Sequence, residues 1–333
     1  MHSAPQAKRP LVDRLDGLLY FPVTPFTRRP GLNGAPDRAG DVDLKAFADH
    51  LQARLALLDT ASGGPAAVFA CCGTGEFFSL NLEEYTETVR VAVEVAAGRV
   101  PVVAGVGYGA ALAARFAEAA QSAGADGLLV MPPYLVSGNE AGLRDHYTAV
   151  AGATDLDVIV YQRDNVTFTP RGVADLAEVP NIVGLKDGKG DLDLMQRIVS
   201  AVRQRHGDGK LLYLNGLPTA EMSQLAYRGI GVDGYSSAVF CFAPDIALAF
   251  YNAYQTNDLG LVNGLLDRFY RPFVELRGLG SGYAVSLVKT AVRLEGLDVG
   301  PVRAPLSDPT PEHVARLADL IAAGRAVLAE AGA

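Results

Sequence analysis

Short apolar runs alternate with longer amphipathic segments along most of the chain. The runs are bounded by Gly, Pro or polar turn residues, which is the pattern of buried parallel strands. Eight runs occur, at residues 18–23, 66–72, 100–106, 127–131, 157–161, 182–186, 211–215 and 231–236. Helices are predicted between them, for example over residues 43–58, 82–97, 110–123 and 192–205. Eight strands alternating with helices predict an α/β protein with a single (β/α)8 TIM barrel.

The apolar periodicity continues beyond the eighth strand. Apolar residues recur at helical spacing in segments 244–254, 259–276, 284–294 and 311–328. We therefore assign residues 14–256 to the barrel and residues 257–331 to a helical C-terminal extension packed on it. Residues 1–13 are expected to be flexible, and residues 28–40, rich in Gly, Pro and Arg, are expected to form a surface loop.

An open, doubly wound sheet would show the same alternation of strands and helices. Its dinucleotide-binding form carries the spacing G-x-G-x-x-G after a strand, with an acidic residue at the end of the next strand. Residues 105–109 read Gly-Val-Gly-Tyr-Gly and lack both features. The glycines therefore favour a tight barrel loop over a dinucleotide site.

Composition and charge exclude several classes of function for this protein. Of the 333 residues, 49% are hydrophobic and 20% charged, which predicts a folded globular protein. The net charge is -8 without a Lys/Arg cluster, so we expect no nucleic-acid partner. No apolar run of about 18 residues or export leader is recognised, so no membrane partner is expected. Cys71, Cys72 and Cys241 are expected to be reduced thiols in a cytoplasmic protein.

The residue inventory also argues against two kinds of catalytic centre. The histidines fall in helical or terminal segments without metal-ligand spacing: His2, His50, His146, His206 and His313. No metal site is therefore predicted. A Ser-His-Asp hydrolase is not predicted either, because the nucleophile-elbow pattern G-x-S-x-G is absent.

Two strand ends carry candidate catalytic groups, since TIM-barrel active sites form at the carboxyl ends of the strands. Lys186 ends the sixth predicted strand and Tyr161 ends the fifth. A lysine in the barrel mouth is desolvated, which lowers its pKa and lets the neutral amine attack a carbonyl. A strand-end lysine can equally reach solvent or pair with Asp187. The Tyr161 phenol can move protons, although strand-end tyrosines are also common packing residues.

Two further strand ends carry candidate binding groups. The turn Gly73-Thr74-Gly75 presents backbone N–H groups and a hydroxyl, a concavity suited to a carboxylate. Ser236 and Ser237 end the eighth strand and could bind substrate hydroxyls or a second carboxylate, or could cap backbone groups.

These motifs resemble the dihydrodipicolinate synthase and N-acetylneuraminate lyase superfamily of class I aldolases. The similarity runs through residues 14–330 and is carried by ordered motifs, namely Phe21-Pro22-Val23-Thr24-Pro25-Phe26, Cys72-Gly73-Thr74-Gly75-Glu76, Pro132-Pro133-Tyr134 and Gly184-Leu185-Lys186-Asp187. The resemblance implies that Lys186 forms a Schiff base, that Tyr161 is catalytic and that residues 73–75 bind a carboxylate.

Finer motifs resemble the 5-dehydro-4-deoxyglucarate dehydratases within that superfamily. They lie at residues 73–77, 161–165, 186–188, 234–238 and 282–286. Gly73 replaces a hydroxyl residue of the synthases, Leu135 replaces their interface tyrosine, and residues 162–164 replace their Asn-x-Pro. These departures argue against a tyrosine relay of the synthase type.

The resemblance implies decarboxylating dehydration of 5-dehydro-4-deoxy-D-glucarate to 2,5-dioxopentanoate through a lysine imine, without a cofactor, in sugar-acid catabolism. It also implies a homotetramer. Because the substrate has two carboxylates, we expect one anion site at Gly73 and Thr74. A second is expected among Asn165, Asn215, Ser236 and Ser237, with Arg163 as a further contributor.

Two other functions stay open at this point. One is a pyruvate-dependent aldolase or synthase of the same superfamily. The other is a barrel that binds a keto acid without turnover, because a fold does not specify an activity.

Overall fold

The computed structural model describes residues 11–31, 37–61 and 63–332. Within them the chain forms ten strands, β1 (Leu19–Tyr20), β2 (Phe26–Arg29), β3 (Arg38–Val42), β4 (Ala67–Ala70), β5 (Val102–Val106), β6 (Gly127–Val130), β7 (Asp157–Gln162), β8 (Ile182–Asp187), β9 (Leu212–Asn215) and β10 (Gly234–Ser237). All except β2 and β3 pair in parallel and close in the order β1-β10-β9-β8-β7-β6-β5-β4. The predicted TIM barrel is confirmed, because every strand in this order pairs on both sides, whereas an open sheet would leave its two edge strands unpaired on one side.

The helices described are α1 (Leu44–Leu55), α2 (Leu82–Ala96), α3 (Ala110–Ser122), α4 (Glu140–Ala151), α5 (Pro170–Leu176), α6 (Leu192–His206), α7 (Gln224–Arg228), α8 (Pro244–Thr256), α9 (Leu259–Leu265), α10 (Arg271–Arg277), α11 (Tyr283–Leu294) and α12 (Pro311–Ala331). The first eight follow the barrel strands in turn, and the last four make up the C-terminal extension. None of these described helices has both the length and the apolar character needed to cross a bilayer.

Helix starts near the barrel mouth are fixed by local side chains. Asn81 Oδ1 accepts a hydrogen bond from Glu84 N at 2.8 Å, and the Glu84 side chain accepts one from Asn81 N at 3.1 Å. This reciprocal capping box starts α2 directly after the loop that follows β4. At the start of α5 the Thr169 hydroxyl accepts a hydrogen bond from Gly172 N at 3.0 Å, and Pro170 lies in the first turn. The loops at the barrel mouth are thereby anchored where they enter the helices.

Alternate strand residues point into the barrel and fill it with apolar side chains. The inner layers include Leu19, Phe69, Val103, Leu129, Ile159 and Leu214. Leu11 and Leu15 belong to the same cluster, and Leu11 N donates to Asp157 Oδ2 at 3.1 Å, at the start of β7. The prediction that residues 1–13 are flexible is wrong for residues 11–13, since Leu11–Arg14 forms a short 3-10 helix with Leu11 buried. Residues 1–10 lie outside the described part.

The stretch 28–40 also differs from the expected surface loop. β2 and β3 pair antiparallel, with Phe26 opposite Val42, so that the two ends of the stretch form a hairpin. Arg28 pairs with Asp298 at 2.7 Å, which holds the hairpin against the C-terminal extension. The Gly/Pro composition hid this pairing, and residues 32–36 lie outside the described part.

The C-terminal extension is packed closely on the barrel helices. At Gly324 of α12 an added Cβ would lie 2.5 Å from Ile246 of α8 and 3.1 Å from Phe269. The absence of a side chain at this position therefore lets α12 approach α8. The predicted division at residue 256 falls between α8 and α9.

Candidate active site

A cavity of about 310 Å³ opens at the carboxyl ends of the barrel strands. This size suits a small ligand, being at the lower end of the range for ligand pockets. Six of the ten residues predicted from sequence line it, namely Gly73, Thr74, Tyr161, Arg163, Lys186 and Ser236. The other four, Gly75, Asn165, Asn215 and Ser237, form their contacts outside the cavity.

Lys186 lies on β8 with its side chain directed into the barrel and only 4% exposed. Its Nζ is 4.1 Å from the ring centroid of Phe21 and 4.6 Å from that of Tyr161. Two aromatic faces therefore surround the amine where it meets the cavity. Lys186 and Tyr161 are direct partners in the pairing of β7 with β8, which sets them side by side.

Burial, together with a smaller effect of the nearby Arg163 guanidinium, lowers the pKa of Lys186 to about 7. A Cys72 thiolate would oppose this shift. Burial, however, raises the pKa of the Cys72 thiol to about 12, so it stays neutral near pH 7. A large fraction of Lys186 is then the neutral amine at physiological pH, which is the nucleophilic form.

Asp187 does not pair with Lys186, because successive strand residues point to opposite faces. Its carboxylate is buried on the outer face of β8, where Gln162 Nε2 donates to Oδ1 at 2.8 Å and the Tyr227 hydroxyl donates to Oδ2. The backbone N–H of Lys189 donates to Oδ1 at 3.1 Å. This network holds the end of β8 in place behind the lysine.

Tyr161 donates its hydroxyl hydrogen bond to Gly216 O at 2.6 Å. Burial raises its pKa to about 12, partly opposed by Arg163, so the phenol is protonated near neutral pH. Gly216 has no side chain for a steric reason: an added Cβ would lie 2.6 Å from Lys186 Cγ and 2.8 Å from Tyr161 Cε2. The space for both predicted catalytic side chains thus depends on this glycine.

The loop after β4 is a strained turn. Cys71 and Glu76, on either side of Gly73-Thr74-Gly75, have φ angles of 52° and 54°, in the left-handed region that non-glycine residues seldom adopt. Gly73 and Thr74 face the cavity. Gly75 faces away, where its carbonyl accepts from Thr24 Oγ1 at 2.7 Å. The two glycines therefore have different surroundings.

The predicted binding role of the remaining three residues is corrected by the structure, because none of them lines the cavity. Asn215 pairs with Asp187 in the β8–β9 register and so points outward, where its amide donates to Ala220 O at 3.1 Å. Ser237 also points outward and donates to Glu221 Oε1 at 2.7 Å. Asn165 joins two loops by donating to Val136 O at 2.6 Å. Period-two alternation of the strand residues explains the first two errors.

Sequence reasoning missed the cavity residues contributed by distant parts of the chain. Phe21 comes from the segment after β1, Thr219 from the loop after β9, and Arg277 from the end of α10 in the C-terminal extension. Phe21 could have been found from the sequence motif in which it lies. Arg277, by contrast, is the last residue of an amphipathic helix, as many surface arginines are. Only the packing of the extension brings it to the barrel mouth. Among the described residues no cluster of three His, Cys, Asp or Glu side chains could hold a metal ion.

The chain is similar to known proteins along most of its length. Residues 16–324 match the Dihydrodipicolinate synthetase family. A protein of Streptomyces griseus named probable 5-dehydro-4-deoxyglucarate dehydratase is 59% identical over 330 residues, covering 99% of this chain and 98% of that protein. One of Azotobacter vinelandii with the same name is 45% identical, covering 92% and 94%.

A solved structure is also similar. The dihydrodipicolinate synthase of Bacillus clausii superposes with a TM-score of 0.78 at 27% identity, covering 95% of this chain and 100% of that one. The family match spans nearly all of the barrel and its extension. The resemblance stated from the sequence is confirmed: this chain belongs to the dihydrodipicolinate synthetase family.

Proposed function

We propose that this protein catalyses the decarboxylating dehydration of 5-dehydro-4-deoxy-D-glucarate to 2,5-dioxopentanoate, carbon dioxide and water. The observation that carries the proposal is the buried amine of Lys186, which has a pKa of about 7 and lies beside Tyr161 in the barrel cavity. The relatives that are named as this dehydratase, at 45% and 59% identity, support this reaction over others of the family.

The first step is attack of the neutral Lys186 amine on the ketone at carbon 5. The carbinolamine then loses water to give a cationic imine, and in this proposal Tyr161 gives and takes the protons of this step. Gly73 and Thr74 would hold the neighbouring carboxylate at carbon 6. The lysine imine supplies the electron sink, so the proposed chemistry uses no cofactor.

Removal of a proton from carbon 4 converts the imine to an enamine. The enamine expels the hydroxyl on carbon 3 as water, leaving a conjugated iminium. When the bond between carbons 1 and 2 breaks, carbon dioxide leaves and its electron pair enters this conjugated system. Dehydration comes first in this scheme because no earlier species has a sink that reaches carbon 2. A proton added at carbon 4 restores the imine, and the enol at carbon 2 becomes the aldehyde. Hydrolysis of the imine then consumes the water released when it formed.

We infer the subunit assembly and the cellular location of the protein together with its function. Tyr134, Leu135 and Val136 expose apolar side chains beside the barrel mouth, and such a patch supports subunit contact in the homotetramer expected from resemblance. The three cysteines are buried free thiols, in keeping with a reducing cytoplasmic setting. Light scattering on the purified protein would give the subunit number directly.

The test of the reaction is an assay of the purified protein with 5-dehydro-4-deoxyglucarate for carbon dioxide and 2,5-dioxopentanoate in equal amounts. Parallel reactions contain pyruvate and an aldehyde. Equal release of both products supports the dehydratase. Carbon–carbon bond formation from pyruvate without carbon dioxide would make the protein an aldolase or synthase, and no turnover of either substrate would favour a keto-acid-binding barrel.

A further inference from the structure

Two guanidinium groups line the cavity, and their partners differ. Arg163 Nε donates to Asp164 Oδ2 at 2.8 Å, so its charge is already paired. Arg277 donates to the Thr219 hydroxyl. Within residues 11–31, 37–61 and 63–332, no carboxylate oxygen lies within 4.0 Å of the Arg277 guanidinium. Arg277 is therefore a cavity cation that the described fold leaves without an ion-pair partner.

The carboxyl group whose charge acts on Arg277 is that of Glu221, two residues after Thr219. Glu221 is 1% exposed, and its Oε1 accepts the hydrogen bond of Ser237. Burial raises its pKa to about 7, so this carboxyl does not hold a full negative charge near neutral pH. Burial of the Arg277 guanidinium in the cavity wall also removes part of its hydration and lowers its pKa. A desolvated and incompletely balanced cation favours an incoming anion.

Arg277 and Thr74 enter the cavity from different sectors of the barrel. Thr74 follows β4, whereas Arg277 reaches the cavity together with Thr219, which follows β9, and Ser236 of β10. β1 and β10 separate β4 from β9 around the barrel. The cavity thus has one anion-binding turn and, in another sector, one unpaired guanidinium with two hydroxyl groups.

We propose that Arg277, with Thr219 and Ser236, binds the carboxylate of the substrate farther from the ketone, and that this contact selects keto diacids over keto monoacids. The inference rests on the proposed function, in which Thr74 holds the carboxylate next to the ketone. Since the remote carboxylate leaves as carbon dioxide, an ion pair with it stabilises the bound substrate and not the bond cleavage. Loss of Arg277 then raises KM more than it lowers kcat.

The test measures imine formation and not turnover. The probes are 2-oxoadipate, which has the same six carbons and two carboxylates as the proposed substrate, and 2-oxohexanoate, which lacks the remote carboxylate. Each is trapped on the full-length protein with borohydride at increasing concentration, and mass spectrometry gives the concentration for half-labelling. Arg277→Gln is compared with the wild type and with Arg271→Gln, an exposed arginine on the same helix.

We expect the wild type and Arg271→Gln to be half-labelled at a lower concentration of 2-oxoadipate than of 2-oxohexanoate, by about 10-fold or more. Arg277→Gln should lose that preference while its half-labelling by 2-oxohexanoate stays the same. A preserved diacid preference in Arg277→Gln, or an equal loss for both probes, would overturn the proposal. Neither probe has a hydroxyl to eliminate, so the result is independent of whether the dehydratase assay succeeds.

Discussion

Lys289 of α11 and Glu76 of the strained loop after β4 form an ion pair, with Nζ 2.9 Å from Oε1 and both side chains fully buried. Glu76 Oε2 also accepts from the backbone N–H of Arg303 at 3.0 Å, and Lys289 Nζ lies 3.9 Å above the Phe26 ring. The C-terminal extension is thus joined by charge to the loop that carries Gly73 and Thr74. The extension thereby supports the cavity wall as well as covering the barrel.

Lys289→Met should destabilise the protein by about 3–5 kcal/mol, because it leaves the Glu76 carboxylate buried without its partner. Urea denaturation followed by circular dichroism measures this. The matched control is Arg271→Met, which breaks an exposed pair with Glu275 and should cost less than about 1 kcal/mol. The double variant Glu76→Gln/Lys289→Met should recover part of the loss. Equal costs for Lys289→Met and the control would contradict this interpretation.

Gly216→Ala should greatly reduce activity, because the new methyl group would occupy the space of Lys186 and Tyr161. Overpacking of this kind costs roughly 1–3 kcal/mol of stability, so the variant should still fold. At Gly229 an added Cβ meets no atom closer than 3.4 Å, and Gly229→Ala serves as the control. Steady-state carbon dioxide release is the measurement. Wild-type kinetics in Gly216→Ala would show that the two side chains are not confined as described.

Tyr161→Phe keeps the ring beside Lys186 and removes only the hydroxyl that donates to Gly216 O. Loss of a proton-transferring group should lower kcat by about 10²- to 10⁴-fold with little change in KM. Tyr147→Phe is a matched control, since its buried hydroxyl donates to the backbone of Tyr161 at 3.3 Å outside the cavity lining. If kcat fell equally in both variants, Tyr161 would have a packing role only.

The pH dependence of imine formation should follow Lys186. Its pKa is lowered from 10.5 to about 7, so the reactive neutral amine increases as the pH rises through 7 and is nearly complete by about pH 8. The initial rate of borohydride-trapped pyruvate adduct should rise and then level off over this interval. An amine of ordinary pKa would instead give a rate that keeps rising about tenfold per pH unit above pH 8.

Glu221 should make stability depend on pH in the opposite sense to a paired surface carboxylate. Its folded pKa, about 7, lies above the ordinary 4.5, so the stability it contributes is complete below 4.5 and is lost as the pH rises through 7. Glu221→Gln stays neutral and should gain stability at pH 8, up to roughly 3 kcal/mol, with little change at pH 5. Urea denaturation at both pH values is the measurement, and a loss of stability at pH 8 would contradict the assignment.

The sequence predicted the barrel because alternation of strands and helices is a local, repeated signal. It also placed Lys186 and Tyr161 at neighbouring strand ends, which the register of β7 and β8 brings together. The face on which a strand-end residue points was harder to predict. An error of one residue along a strand moves a side chain from the inside of the barrel to the outside. The predicted directions of Asn215 and Ser237 were wrong for this reason.

Other features depend on contacts between distant residues. Arg277 is more than 90 positions from Lys186 in sequence, and nothing in its local pattern distinguishes it from the exposed Arg271 on the same helix. The buried pair of Glu76 and Lys289 joins residues 213 positions apart. Such contacts follow from the packing of the extension, which single-sequence periodicity does not specify.

The most direct test of the central claim is mass spectrometry of the protein treated with 5-dehydro-4-deoxyglucarate and borohydride, beside Lys186→Arg treated in the same way. We predict one adduct, located on the Lys186 peptide and absent from the variant, in a preparation that releases carbon dioxide and 2,5-dioxopentanoate. Product release without a trapped adduct, or an adduct on another lysine, would contradict the Schiff-base mechanism at Lys186.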